Sequence, residues 1–249
     1  MRSFDIYMMR HGYDDHSYID GKNDTSLTAG GIEMAEEASR EYAKLIHEKC
    51  SNIPQVFTSS RKRAIETAEI LSAELGRHKI EHTVQVEPAF RELYQGEMVG
   101  LSGKTHQERV RALEIGWRIF DSERKMGNHD YKYGTPSLDS EEYTDFNGFI
   151  APPYGESQNE FTARTQQGLL GVVVESLGGD YTPLIVAHRG TIREVLNVAN
   201  AHNAGSEEIP QNPNVEMSGW RYCEIFHTEL LDPEFSVRAL NRFLGEGAA

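Results

Sequence analysis

The chain alternates short apolar runs with longer segments of helical periodicity, and this alternation restricts the folds open to it. The strand-like runs are Phe4–Met9, Pro54–Thr58, Thr83–Phe90 and Pro183–Ala187. After each of them comes a segment with apolar residues three and four positions apart, which is typical of a helix. Parallel strands need such crossover connections. The order therefore predicts an α/β fold, in which a mostly parallel central sheet has helices on both faces (three layers, α/β/α).

The limits of the predicted elements follow from capping residues and periodicity. Thr28 is a candidate N-cap for a first helix whose apolar positions run from Ile32 to Ile46, and Ser59 or Ser60 is a candidate N-cap for a second. Further elements are predicted at Thr105–Met126, Ser157–Leu177 and Thr191–His202 as helices, and near Tyr222–Thr228 and Ser236–Leu240 as strands.

One long segment lacks regular periodicity. Gly127–Tyr154 is rich in Gly, Pro, Asp, Tyr and Ser, and long loops of this kind often cover functional sites. Its aromatic residues favour a packed cover. We therefore predict a single domain over residues 1–249, with a loop-rich lid or cap insertion at about residues 103–155.

Composition and charge exclude several classes of protein. The 25 Lys and Arg residues against 39 Asp and Glu give a net charge of −14, which argues against nucleic acid or an anionic membrane as partner. The longest aliphatic stretch, Leu169–Val174, is too short to span a bilayer. Two cysteines make no disulfide framework and no secretory signal is evident, so we expect a cytoplasmic location. The oligomeric state stays open, with a homodimer as one alternative.

Three strand ends carry cationic and imidazole side chains. The first strand ends in Arg10 and His11, the second leads to Ser59 and Arg63, and a later one ends in His188. Ligands of parallel sheets bind beyond the carboxyl ends of the strands, and helix N-termini there attract anions. The sequence therefore predicts a phosphate site at this rim.

The residue types suit phosphoryl chemistry. Arg10 and Arg63 stay charged and match phosphate oxygens, so they are the natural clamp. An imidazole has a usable lone pair near neutral pH, so either His11 or His188 can attack phosphorus while the other stabilises the oxygens. Glu92, just after the third predicted strand, is the best candidate to protonate the leaving alkoxide.

Six motifs occur in order along the chain, from the first strand to the later His. They are Arg10-His11-Gly12, Leu27-Thr28 with Gly31 and Ala35, Ser59 with Arg63-Ala64 and Thr67-Ala68, Glu92 with Gly96 and Gly100-Leu101, Gly155-Glu156-Ser157, and Ala187-His188. Together they resemble the histidine phosphatase superfamily, the phosphoglycerate-mutase-like proteins, over nearly the whole chain.

The resemblance implies a phosphohistidine mechanism that uses neither a metal nor an organic cofactor. It implies that His11 is phosphorylated, that Arg10, Arg63 and His188 hold the phosphoryl group, and that Glu92 protonates the leaving group and later activates water. The expected function is a metal-independent phosphatase, a hydrolase of phosphoric monoesters, with a small phosphorylated metabolite as substrate.

Some positions depart from the family pattern. Tyr13 replaces the usual Glu or Gln, Ser17 a common Asn, and Arg189 a small residue; Arg189 is a candidate contact for a second anionic group. The mutases tend to have an Arg pair after a Trp, but Trp117-Arg118-Ile119 keeps only one Arg, which favours a phosphatase over a mutase.

Four alternatives remain open beside the phosphatase. One is a mutase that returns the phosphoryl group to another hydroxyl, and the second is a binder of phosphorylated ligands without turnover. The third is a metal site, whose candidate ligands are His11, Asp14, Asp15, His16 and Asp20. Their spacing matches no compact zinc pattern. The fourth is related phosphoryl or non-phosphoryl chemistry in a pocket altered at Tyr13 and Arg189.

Overall fold

The computed structural model describes residues 3–14, 25–49, 52–93, 158–179, 181–203 and 221–231. The predicted helix Thr105–Met126, the predicted lid and the predicted strand near Ser236–Leu240 lie outside these ranges. The chain divides into two compact units. One comprises residues 1–16, 24–92 and 163–249, and the other, mostly outside the described ranges, comprises residues 17–23 and 93–162. The single domain with its lid therefore stays a prediction.

The described strands form one sheet of mixed but mainly parallel pairing. The strands are β1 (Ser3–Arg10), β2 (Ile53–Thr58), β3 (Thr83–Val86), β4 (Tyr181–Ala187) and β5 (Ile225–Leu231). Their order in space is β3-β2-β4-β1-β5, and only β5 is antiparallel to its neighbour. The predicted mostly parallel sheet is confirmed.

Helices cover both faces of this sheet. They are α1 (Ala29–Lys49), α2 (Lys62–Arg77), α3 (Gln158–Gly179) and α4 (Arg189–Asn203). Successive strand side chains point to opposite faces. In β1, Ile6 and Met8 pack with α3 and α4, whereas Tyr7 and Met9 pack with α1 and α2. These two clusters on opposite faces confirm the three-layer α/β/α arrangement. None of the helices in the described ranges has both the length and the apolar character needed to cross a bilayer.

The two predicted helix caps have different outcomes. Thr28 caps α1 as predicted, because its Oγ1 accepts a hydrogen bond from the Gly31 N–H at 3.0 Å. The prediction for Ser59 and Ser60 is wrong, since α2 begins at Lys62 and Arg61 stands at the N-cap without a side-chain cap. Ser59 continues the ladder of β2 instead, donating its N–H to the Val186 carbonyl at 2.9 Å.

Several element ends differ from the prediction. The strand predicted over Thr83–Phe90 ends at Val86, and a 3-10 turn, Pro88–Phe90, follows. Pro88 lacks the N–H that a ladder needs, and the Glu87 carboxylate caps the turn by accepting from the Ala89 N–H at 2.9 Å. Val84 and Val86 are exposed because β3 is an edge strand of the described sheet.

The strand predicted from Tyr222 begins later, at Ile225. Tyr222 and Cys223 form a turn, in which Cys223 has a φ of 58°. This left-handed conformation ends strand geometry and carries Tyr222 away from the ladder. The other predicted elements agree with α1, β2, α3, β4 and α4 to within a few residues.

Candidate active site

The topology brings three strand ends to one rim. β4 lies between β1 and β2, and all three run in the same direction. Beyond β1, His11 donates its N–H to the Ala187 carbonyl at 3.0 Å, and Ser59 likewise extends β2 along β4. His11, Ser59 and His188 are thus the first residues past three neighbouring strands. The predicted convergence of the two histidines is observed: their ring centroids lie 5.0 Å apart.

The protonation of His11 follows from its hydrogen bonds. Its Nδ1 lies 2.7 Å from the Gly12 carbonyl, which only accepts, so Nδ1 carries the proton of the neutral ring. The lone pair is therefore on Nε2, which accepts a hydrogen bond from Arg63 Nε at 3.2 Å. Burial, and then the charge of Arg63, lower the His11 pKa from 6.5 to about 3. His11 is consequently a neutral imidazole with its lone pair towards a guanidinium.

His188 is held in a single tautomer by two partners. Arg63 Nη2 lies 3.2 Å from His188 Nδ1, and a guanidinium can only donate, so Nδ1 accepts. The proton is then on Nε2, which donates to Ser59 Oγ at 2.8 Å. Burial lowers the pKa of His188 well below its ordinary value, and His11 and Arg63 lower it further. Sequence reasoning proposed Ser59 as a helix cap and missed this role, because the bond joins residues far apart in the chain.

Arg63 is placed by the first turn of α2 and by the loop after β1. Its carbonyl accepts from Thr67 Oγ1 at 2.7 Å, and the same hydroxyl accepts from the Gly12 N–H at 3.0 Å. A side chain at Gly12 would put its Cβ 2.6 Å from the Gly31 carbonyl oxygen, so only glycine lets the chain pass here. These contacts join the loop after β1 to α1 and α2 around the Arg63 guanidinium.

Asp14 is a buried acid that the phosphate hypothesis did not include. Its Oδ2 lies 3.7 Å from Arg63 Nε and accepts from the Thr25 hydroxyl at 2.7 Å. Of the proposed metal ligands, the structure describes only His11 and Asp14. Arg63 already supplies a positive charge to both of them, so their arrangement favours a guanidinium clamp over a bound cation.

Arg10 ends β1 and stacks on an aromatic ring. Its guanidinium carbon lies 3.7 Å from the centroid of the Tyr222 ring. Its charge also contributes to the lowered pKa values of His11 and His188, as a smaller cause after burial, Arg63 and, for His188, also His11 and Arg61. The structure thus places Arg10 beside both histidines, as predicted. No sequence pattern predicted the contact between Arg10 and Tyr222, because Tyr222 belongs to a turn far along the chain.

Glu92 is joined to the start of α4. Its Oε2 accepts a hydrogen bond from the Gly190 N–H at 3.3 Å, two residues beyond His188. The Thr191 hydroxyl contacts the carbonyls of Phe90 and Arg91, each at 3.2 Å, and so ties down the chain before Glu92. A Cβ at position 190 would lie 2.3 Å from Glu92 Oε1. The structure therefore brings the predicted acid to the helix start that follows His188.

Two of the three departures from the family pattern, Tyr13 and Arg189, are among the described residues. Tyr13 is 43% exposed, and its ring packs edge-on against Tyr222 with centroids 5.1 Å apart. Arg189 is half-buried as the first residue of α4. Ser17, like the segment Trp117-Arg118-Ile119, lies outside the described residues. Arg189 as contact for a second anionic group stays a prediction.

Comparison with known proteins identifies the family of this chain. Residues 6–131 match the model of the histidine phosphatase superfamily (branch 1). The chain therefore belongs to the histidine phosphatase superfamily, as its motifs predicted. Over 138 residues it is 31% identical to phosphoglycerate mutase-like protein 4 of Arabidopsis thaliana. That match covers 54% of each protein, so the chain spans about half the length of this relative.

Solved structures with phosphatase names share the fold. The mycobacterial glucosyl-3-phosphoglycerate phosphatase has a TM-score of 0.59 and 20% identity, over 92% of this chain and 91% of that one. The ecdysone phosphate phosphatase of Bombix mori, in complex with tungstate, has a TM-score of 0.54 and 16% identity, over 92% and 93%. At these identities the likeness establishes the α/β fold.

Proposed function

We propose that this chain is a metal-independent phosphatase that acts on a small phosphorylated metabolite through a phosphohistidine at His11. One observation carries the proposal. The buried, neutral His11 has its Nε2 lone pair 3.2 Å from an Arg63 guanidinium that also contacts His188. A neutral imidazole needs no separate base to act as a nucleophile. Guanidinium and imidazole groups around it would receive the charge of a phosphoryl group.

The reaction has two displacement steps. In the first, the Arg63 Nε–H hydrogen bond passes from His11 Nε2 to a phosphoryl oxygen, Nε2 forms a bond to phosphorus while the bond from phosphorus to the ester oxygen breaks, and Glu92 gives a proton to the leaving alkoxide. In the second, a water oxygen forms a bond to phosphorus, the Nε2–P bond breaks, and Glu92 takes the water's proton. The products are the alcohol and inorganic phosphate, with His11 and Glu92 in their starting states.

The cationic groups stabilise both transition states. Arg10 and Arg63 offer N–H donors and fixed positive charge to the phosphoryl oxygens. Burial lowers the pKa of His188, whereas the negative charge of a bound dianion would raise it. A bound dianion therefore favours a proton on Nδ1. His188 Nδ1 would then give up its bond from Arg63 Nη2 and donate to a phosphoryl oxygen, while Nε2 keeps its bond to Ser59.

The comparisons support hydrolysis at the level of the superfamily. Two proteins of similar fold are named as phosphatases, and one of them was solved with tungstate, an oxyanion. A mutase is the second candidate, because the relative of 31% identity is phosphoglycerate mutase-like. A mutase must keep water from the phosphohistidine and return the phosphoryl group to a hydroxyl of the substrate. Release of inorganic phosphate supports the phosphatase, and an isomeric phosphoester supports the mutase.

The decisive experiment traps the phosphoenzyme. The protein is mixed briefly with a radiolabelled phosphoester, quenched in alkali, which preserves phosphohistidine, and mapped by peptide digestion. We expect label on the peptide containing His11 and no turnover by His11→Asn, whereas His47→Asn, on the exposed face of α1, stays fully active. Label on another residue, or full turnover by His11→Asn, contradicts the mechanism. Saturable binding of phosphoesters without phosphate release would instead support the non-catalytic binder.

A further inference from the structure

The guanidinium of Arg10 is stacked on the ring of Tyr222. The contact joins the guanidinium carbon to the ring centroid at 3.7 Å, well inside the range of a cation–π interaction. All five N–H donors of a guanidinium lie in its plane. A ring against one face therefore restricts the orientation of that plane, and the Tyr222 hydroxyl makes a side-chain hydrogen bond with the same guanidinium.

The ring is itself held at a fixed place relative to Arg10. Cys223 donates its N–H to the Arg10 carbonyl at 3.0 Å, and the Arg10 N–H bonds to the Glu224 carbonyl at 3.2 Å. The Glu224 carboxylate closes the turn by accepting from the Arg221 N–H at 2.8 Å. The left-handed conformation of Cys223 turns the chain here. The turn that carries Tyr222 is thus hydrogen-bonded to the backbone of the residue on which its ring packs.

The same ring lies next to the proposed nucleophile. Its centroid is 5.7 Å from that of His11, and Tyr13 supports it edge-on. Burial raises the pKa of the Tyr222 hydroxyl, which keeps the ring a neutral phenol. From this packing we infer that Tyr222 is a positioning residue, which holds the Arg10 guanidinium in the orientation that binds the phosphoryl group. The inference rests on the proposed function, since it assigns Arg10 to that group.

The physical reason is preorganisation. An arginine side chain has many rotamers, and a charge stabilises a transition state best when it is oriented before the reaction begins. Without the ring, Arg10 keeps its charge and loses its fixed plane. Binding of an oxyanion and the chemical step should then both weaken, while the hydrogen bonds of the turn, which are made by backbone atoms and Glu224, persist.

The test compares variants that keep or remove the aromatic face. Tyr222→Phe keeps the face, Tyr222→Leu removes it, and Tyr222→Met is a second face-less variant if the first does not fold. Tyr181→Leu, which removes a half-buried tyrosine at the opposite end of β4, is the matched control. For each variant the measurements are kcat and KM with a phosphoester, the dissociation constant of inorganic phosphate by calorimetry, and Tm.

We expect Tyr222→Leu to lower kcat/KM and to weaken phosphate binding by about tenfold each, with Tyr222→Phe within about threefold of the wild type. The decisive readout is a double-mutant cycle with Arg10→Met, in which adding Tyr222→Leu has no further effect on phosphate binding. Equal losses with and without Arg10, or a Tyr222→Leu enzyme like the wild type, overturn the inference.

The proposed phosphatase function and the positioning role of Tyr222 are contradicted by different results. A wild-type protein that binds phosphate without turnover overturns the phosphatase, while the binding constants of the variants still decide the role of Tyr222. A wild-type protein that binds neither phosphate nor phosphoester overturns both.

Discussion

The rings of His11 and His188 are held 5.0 Å apart, centroid to centroid, in the described part of the protein. A single guanidinium, that of Arg63, contacts one nitrogen of each ring. Two buried neutral imidazoles do not attract each other strongly. Here both lone pairs accept hydrogen bonds from the same guanidinium, and this shared donor stabilises the pair. The pair and its guanidinium therefore form a unit, and substitutions within this unit should not be additive.

Arg63→Lys should lose most of the activity although it keeps the charge. A lysine has one nitrogen and cannot contact both rings in the way that Nε and Nη2 do. We expect kcat/KM to fall by about 100-fold, the cost of losing an oriented donor at a transition state. Arg77→Lys, at an exposed arginine paired with Glu74, is the control and should change nothing. Activity above half of the wild-type level in Arg63→Lys would contradict the shared clamp.

Ser59→Ala should reduce both activity and stability. It removes the acceptor of the buried His188 Nε2–H, and an unsatisfied buried donor costs about 1–3 kcal/mol. Without this acceptor, His188 is no longer held in the tautomer whose Nδ1 accepts from Arg63, so kcat should fall by about tenfold. Urea unfolding and steady-state kinetics measure the two effects.

A second serine provides a matched control for this prediction. Ser72 Oγ donates to His82 Nε2 at 2.8 Å, because the His82 Nδ1 proton faces the Ile80 carbonyl at 2.9 Å; this is also a serine–histidine bond, of opposite direction, at a place that serves no part of the site. Ser72→Ala should lower the unfolding free energy and leave kcat unchanged. If both serine variants lose the same fraction of activity, Ser59 is only a structural residue.

Gly190→Ala should displace the Glu92 carboxylate. The new Cβ would lie 2.3 Å from Oε1, so the carboxylate must move away from the α4 start. We expect kcat to fall by about tenfold or more with a smaller effect on KM, because the change acts on the proton donor rather than on phosphate binding. Gly171→Ala, within α3 where a Cβ meets nothing within 4 Å, should stabilise the protein by about 0.5–1 kcal/mol and keep its activity. A fully active Gly190→Ala would show that the contact with Gly190 does not position Glu92 for proton transfer.

The stability should fall as the pH falls below about 6.5. Burial and Arg63 hold the pKa of His11 at about 3, so between these two pH values the unfolded chain takes up a proton that the folded protein does not. The contribution of His11 is therefore complete above pH 6.5 and is lost towards pH 3, with a slope of up to about 1.4 kcal/mol per pH unit. Denaturant titrations from about pH 4, one unit above the lowered pKa, to about pH 7, half a unit above the ordinary pKa, measure it.

A variant isolates this effect from other titrating groups. His11→Asn should reduce the slope and leave the part due to His188, whose pKa is also lowered. His47→Asn, at an exposed histidine, should keep the full slope. A slope that is the same in His11→Asn and in the wild type would contradict the buried neutral state of His11.

Phosphatase activity should survive removal of divalent metals. In the described site, positive charge comes from Arg10 and Arg63, and the His11 lone pair faces a guanidinium. Turnover after incubation with a chelator and gel filtration should equal that of the untreated protein. Loss of activity that a divalent cation restores would favour the alternative in which His11 and Asp14 bind a metal.

Local patterns in the sequence predicted the α/β class and most of the site. The apolar runs and the periodic helices indicated the parallel sheet. Arg10, His11, Arg63, Glu92 and His188 could be proposed because they stand at, or within a few residues after, the ends of predicted strands. Parallel strands bring their carboxyl ends to one edge, so residues far apart in the chain could be expected to meet. His11 and His188 are such residues: they are far apart in the chain, and they meet because they follow the adjacent parallel strands β1 and β4.

Other features depended on contacts that no local pattern contains. The bond from Ser59 to His188, the Tyr222 ring on Arg10 and the fit of Gly190 against Glu92 each join separate elements. Secondary structure follows from short-range periodicity and capping, which a chain displays in its own order of residues. Tautomers, lowered pKa values and the orientation of charged groups depend on burial and on partners, and only the packed three-layer structure determines these.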